Sequence, residues 1–114
     1  MFCKRNASGY RDINKDVAMK TLVYGEKTLF AEFHLKAGGE LPKHAHAYEQ
    51  TGYLVSGAIL LTIGNETFNV EPGDSWCIPL NVEHGAKILV DSVAIDVFSP
   101  VRKDYLPESS MNRE

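Results

Sequence analysis

The strongest constraint on this chain is a period of two. From Thr28 to Lys36 the side chains alternate, with Leu29, Ala31, Phe33 and Leu35 on one face and Thr28, Phe30, Glu32 and His34 on the other. No stretch before Pro100 carries the apolar period of a helix. Short strand-like runs follow one another instead, divided by turn residues. A turn is expected at Ala37-Gly38-Gly39-Glu40. Leu41 to Gln50 reads as extended and polar, with Pro42 at a strand edge or start. Tyr53-Leu54-Val55 leads to a turn at Ser56-Gly57, and Ala58 to Ile63 is an apolar strand. Gly64-Asn65 is a two-residue hairpin loop, since both residue types tolerate positive φ. Thr67 to Val70, Ser75 to Ile78, His84 to Val90 and Val93 to Phe98 complete the set, with a turn at Glu71-Pro72-Gly73-Asp74. Strands at this spacing predict an all-β, antiparallel sandwich or barrel.

A length of 114 residues fits a single domain, residues 1–114, with its core at about 19–106 between an N-terminal arm and a polar C-terminal tail. The apolar share of 44% can build a core without disulfides. A net charge of −3 and the lack of any Lys/Arg cluster argue against a nucleic-acid partner. No apolar run approaches the ~20 residues that span a bilayer, so no membrane partner is expected. The first twenty residues lack an apolar signal core. A cytoplasmic location follows as an expectation, with Cys3 and Cys77 as thiols. Cys77, within Trp76-Cys77-Ile78, reads as a small buried hydrophobe.

Chemistry concentrates in a few residues. His44 and His46 stand two apart in an extended segment, so their side chains share a face. Gln50 has the same parity, and His84 follows the turn Pro79-Leu80-Asn81. Three neutral imidazoles and an oxygen donor suit a first-row divalent ion. A histidine pair of this spacing, taken alone, fits a polar edge strand better. In the last strand Val93, Ile95 and Val97 form one face and Ala94, Asp96 and Phe98 the other. A carboxylate amid an apolar strand needs a partner or a purpose. An ion pair with Arg102, a backbone hydrogen bond, or a functional role would each answer that need.

Two matched patterns turn the balance toward a metal site. Gly38-x5-His44-x-His46-x3-Gln50-x6-Gly57 resembles the first cupin motif, and Gly73-x5-Pro79-x-Asn81-x2-His84 resembles the second. The resemblance implies a cupin-type antiparallel double-stranded β-helix, a jelly-roll barrel, with one metal ion inside. The cupin pattern usually has Glu where this chain has Gln50, Gly where it has Asn81, and Asn where it has Ile88. Gln supplies a neutral carbonyl oxygen in place of a charge. That favours Lewis-acid work on a bound oxygen over stabilising an oxidised metal.

The histidine–glutamine set, the turn Asn81-Val82-Glu83-His84-Gly85 and the ending Ile95-Asp96-Val97-Phe98-Ser99-Pro100-x-Arg102-x-Asp104-Tyr105-Leu106 resemble one cupin group more closely. That group is the KdgF-type pectin-degradation family, whose members linearise 4,5-unsaturated monouronates from pectin or alginate breakdown. The resemblance implies His44, His46, Gln50 and His84 as metal ligands, Asp96 and Arg102 as catalytic residues, and Phe98 and Arg102 as substrate contacts. It implies one divalent transition metal ion, of which zinc, nickel, manganese and iron all suit the donors. It also implies a sugar-acid substrate and a homodimer formed through a strand face such as that of Phe30, Glu32 and His34. Tyr48 and Tyr53 flank the metal strand as sugar contacts or core residues, and Asp104, Tyr105 and Leu106 either cap the barrel mouth or are disordered. A metal-dependent cupin dioxygenase and a non-catalytic module binding a small metabolite are the rival expectations, since one fold hosts all three.

Overall fold

The computed structural model describes residues 1–107. The end of the polar C-terminal tail, residues 108–114, lies outside the described residues. Eight strands carry the fold: β1 (Arg11–Asn14), β2 (Val17–Tyr24), β3 (Leu29–Leu35), β4 (Glu40–His44), β5 (Glu49–Ile63), β6 (Glu66–Val70), β7 (Ser75–Ile78) and β8 (His84–Ser99). One 3-10 turn, Lys103–Tyr105, follows. Among the described residues no helix is long and apolar enough to cross a membrane. All pairings are antiparallel, in the order β1-β2-β3-β8-β5-β6, with β4 added to β8 and β7 to β5.

The two long strands organise this jelly roll. β5 and β8 pair from Glu49↔Ser99 to Ile63↔His84, and each half of the ribbon joins different neighbours. The C-terminal half of β8 lies beside β3, and its N-terminal half beside β4. The expected turn at Ser56-Gly57 is therefore a bend inside one strand, where the register shifts three times between Leu54 and Ile59. Gly57 makes the bend possible with a φ of 99°, a region closed to most L-residues. The facing interruption between Val90 and Val93 is likewise absorbed into continuous β8.

The alternation of β3 is realised as read, with Leu29, Ala31, Phe33 and Leu35 buried. They pack with Met19 of β2, Leu54, Ile59 and Leu61 of β5, and Ile88 and Phe98 of β8. Each of the larger side chains in this set contributes roughly 1.5–3 kcal/mol through burial. Three local expectations are corrected. Leu41 to Gln50 is not one extended run, because β4 ends at His44 and a loop intervenes before β5. Cys77 is exposed, since Trp76 and Ile78 on either side of it turn inward. In the Gly64-Asn65 loop only Gly64 takes a positive φ, of 60°. Asn81 takes a φ of 62°, so the residue at the usual glycine position of the second motif adopts the left-handed region that asparagine tolerates best.

Candidate active site

The polar residues singled out in the sequence meet at one end of the barrel. His44 ends β4 and pairs with His84, the first residue of β8. His46 lies in the following loop, whose carbonyl at His46 accepts the Asn81 N–H at 2.8 Å. The β7–β8 loop is thereby tied to the histidine loop. Gln50 stands at the start of β5, between Ile78 and Phe98. Convergence is thus made by a loop and three strands, not by parity along one strand.

The three imidazoles form a tight cluster. One ligand atom from each of His44, His46 and His84 lies within 4.8 Å of the other two. Ring centroids are 4.3 Å apart for His44–His84 and 4.8 Å for His46–His84. The backbone presets two tautomers. His44 Nδ1 donates to Pro42 O at 3.0 Å and His84 Nδ1 to Val82 O at 2.9 Å, leaving both Nε2 lone pairs free for a ligand. His46 Nε2 meets Gln50 Oε1 at 3.1 Å, while its Nδ1 is buried without a partner. Neighbouring donors ~2.1 Å from one ion stand about 3.0–3.4 Å apart, so this pair has ligand spacing. Burial lowers the pKa of His46, helped by the positive Arg102 and opposed by the Gln50 bond. Burial also lowers that of His84, opposed by its bond to Val82. Both shifts favour the neutral ring, the form that ligates. The cluster fits a divalent transition metal ion.

The carboxylate sits deeper. Asp96 is 6% exposed and is flanked in the sheet by Ala31 and Gly52, the two smallest neighbours available. A Cβ on Gly52 would come within 2.1 Å of Asp96 Oδ1 and 2.3 Å of Trp76 Nε1, so glycine there makes room for both groups. Desolvation pushes the Asp96 carboxyl up from 3.8 to about 7, with the polar Gln50 and Trp76 side chains holding it back. Asp96 Oδ1 is buried without a hydrogen-bond partner. The alternative of an Asp96–Arg102 ion pair is not what forms. Arg102 pairs instead with Asp104, at 3.1 Å from Nε to Oδ1 and 3.3 Å from Nη2 to Oδ2.

A cavity of about 400 Å³ connects these groups. His44, Gln50, His84, Asp96, Phe98 and Arg102 line it, as do Trp76 and Tyr105. Phe98 is 1% exposed and packs its edge on Phe33 and Tyr105. Tyr48 stacks edge-on to His46 and lies 5.4 Å from the Arg102 guanidinium. Tyr53 does not join the site, being 48% exposed on the outer face of β5. His34 is bonded to Glu32 at 2.7 Å and stacked on Tyr10, away from the cavity. Sequence reasoning missed Trp76 as a cavity residue. Its parity with Ile78 on β7 was the available signal, masked by the uniformly apolar run around Cys77.

The cupin domain model matches residues 31–97, more than half of the chain. The chain belongs to the cupin family. This cupin is 26% identical over 99 residues to the pectin degradation protein KdgF of Dickeya dadantii (strain 3937), covering 85% of this chain and 90% of that protein. Its structure is similar to that of KdgF from Halomonas sp., with a TM-score of 0.88 and 29% identity over 93% of this chain and all of the other. An RmlC-like cupin from Shewanella frigidimarina matches with a TM-score of 0.82 and 26% identity, again over 93% of this chain and the whole of its own.

Proposed function

We propose that this cupin is an enzyme that opens the ring of 4,5-unsaturated monouronates, the sugar acids released from pectin or alginate, with His44, His46, Gln50 and His84 holding one divalent metal ion. The observation that carries the reading is Asp96, a buried carboxylate with an unpartnered oxygen in the same cavity as His44, His84 and Arg102, beside the three-histidine cluster. Similarity to two KdgF proteins supports the substrate class. A dication held there supplies a Lewis-acid contact to substrate oxygens, its charge left whole by the neutral Gln50 donor.

The C4–C5 double bond of such a substrate is an enol ether conjugated to the carboxylate. Asp96, with a proton affinity near neutrality, delivers its proton to C4. Water then adds at C5 and returns a proton to Asp96. The resulting hemiketal breaks its C5–ring-oxygen bond to give a C5 ketone. The ring oxygen stays on C1 as part of a hydrated aldehyde, which loses water, so substrate and product are isomers. Arg102 pairs with the substrate carboxylate. Phe98 lines the wall beside Asp96 and limits the water that reaches it.

The direct test follows the absorbance of the conjugated double bond. Metal-loaded protein mixed with unsaturated monouronate is expected to remove that absorbance well above the rate of metal alone, without consuming oxygen. A rate equal to that of the blank overturns the reading. Oxygen uptake by the iron-loaded protein replaces it with a dioxygenase.

A further inference from the structure

Arg102 is held unusually firmly for a residue beyond the last strand. Its guanidinium carbon lies 3.9 Å from the Tyr105 ring centroid and 5.2 Å from that of Phe98. Asp104 takes the Nε–Nη2 edge with both carboxylate oxygens. The segment that supplies Asp104 and Tyr105 is itself anchored to the barrel. Arg11 Nη2 donates to the Asp104 carbonyl at 2.8 Å, and the Thr21 hydroxyl donates to the Tyr105 carbonyl. Among the described residues Arg102 Nη1 has no acceptor, although Arg102 lines the cavity. One edge of the guanidinium is thus occupied by Asp104, the rings of Tyr105, Phe98 and Tyr48 surround it at 3.9, 5.2 and 5.4 Å, and Nη1 has no acceptor among the described residues.

We propose that Asp104 and Tyr105 are positioning residues that fix Arg102 as a preset carboxylate clamp, in which the Asp104 pair on one edge and the Tyr105 ring on one face leave the Nη1 end to receive a sugar carboxylate. The inference rests on the uronate reading above and adds the residues that set carboxylate affinity. The clamp works by preorganisation. An arginine on a free segment must give up rotamer freedom when it binds, whereas this one has already done so on folding. Asp104 is exposed, takes the Nε–Nη2 edge and does not line the cavity, so removing it loosens the clamp without emptying the cavity.

Trp76 is the sole tryptophan and lines the same cavity, so its fluorescence reports occupancy independently of turnover. The probe is D-galacturonate, a saturated uronate, titrated into the metal-loaded protein with D-galactose as the uncharged control. In D104A the galacturonate Kd is expected to rise about tenfold while galactose binding stays unchanged. D104E, which keeps the charge, restores most of the affinity. For the unsaturated monouronate, D104A raises KM about tenfold and moves kcat by less than about twofold. A D104A protein that binds galacturonate as tightly as the wild type, or more tightly, overturns the clamp, the latter because Asp104 would then compete with the ligand. If the wild type binds galacturonate, D104A weakens it and neither opens the unsaturated ring, the clamp stands and the ring-opening reading falls. If both proteins turn over with equal KM, the ring-opening reading stands and the clamp falls.

Discussion

Ser92 and Asp96 lie four residues apart on β8, both nearly sealed from water at 3% and 6% exposure. Each faces a glycine of β5. A Cβ on Gly57 would meet Ser92 Oγ at 2.0 Å, and one on Gly52 would meet Asp96 Oδ1 at 2.1 Å. The same device, a glycine that clears space for a buried polar group, ends differently in the two places. At the barrel bend Ser92 Oγ accepts the Ala58 N–H at 3.0 Å and donates to Val90 O at 2.8 Å. In the cavity Asp96 Oδ1 bonds to nothing. A satisfied buried hydroxyl ties two strands together. A buried carboxyl that Gln50 and Trp76 satisfy only in part, with Oδ1 left over, keeps a raised proton affinity and an unspent acceptor, which is the condition of a group that handles protons.

The largest effect expected is at Asp96. Asp96→Asn keeps the shape but removes the titratable group, and ring opening measured by loss of double-bond absorbance should fall by about 10²–10⁴-fold. Metal content by elemental analysis should stay that of the wild type, since none of the four proposed ligands is altered and an Asn side chain can still meet Gln50. Full activity in this variant would break the contrast with Ser92, because a dispensable Asp96 would be only another packed polar group.

Stability against pH gives the next effect, with the opposite sign. The Asp96 carboxyl titrates at about 7 in the folded chain and 3.8 is its ordinary value, so between those pH values the folded state binds more protons than the unfolded one. Its contribution to stability is therefore full below about pH 4 and is lost as pH rises through about 7, by ~4 kcal/mol at most at 1.36 kcal/mol per pH unit. His46 and His84 act in the other direction. Their folded pKa values are lowered from 6.5, so the stability they favour is present above pH 6.5 and lost as pH falls below their folded values. Denaturant midpoints of metal-stripped Asp96→Asn should exceed those of the stripped wild type at pH 8, with the gap closing by pH 4. A gap that widens toward acid would show that Asp96 is ionised and stabilised in the fold.

Much of this was legible in the chain because it rested on local pattern. The period of two in β3 fixed a buried face, and the spacing of His44, His46 and His84 marked residues that do converge. What the pattern could not carry was long-range geometry. Nothing in Ser56-Gly57 distinguishes a chain-reversing turn from a bend in a fifteen-residue strand, because the difference lies in pairing with β8. The Arg102–Asp104 pair depends on how the last turn folds back over Thr21 and Arg11, contacts made across more than eighty residues. β1 and β2 escaped notice because their outward residues are too mixed to alternate cleanly, though Val17 and Met19 are among the most buried side chains.

The smallest effect, and the one that completes the contrast, is at Ser92. Ser92→Ala removes the hydroxyl that accepts the Ala58 N–H at the bend and leaves Val90 O without that donor. A buried donor left unpaired costs about 1–3 kcal/mol, to be read as a lower denaturant midpoint at an unchanged m-value. Because Ser92, Ala58 and Val90 do not line the cavity, kcat, KM and metal content should be those of the wild type. The same loss of stability in Ser92→Ala with a matching fall in kcat would show that the bend sets the position of Asp96 along β8. The two buried groups would then be one mechanical unit, and the division between a structural and a reactive polar residue on this strand would have to be abandoned.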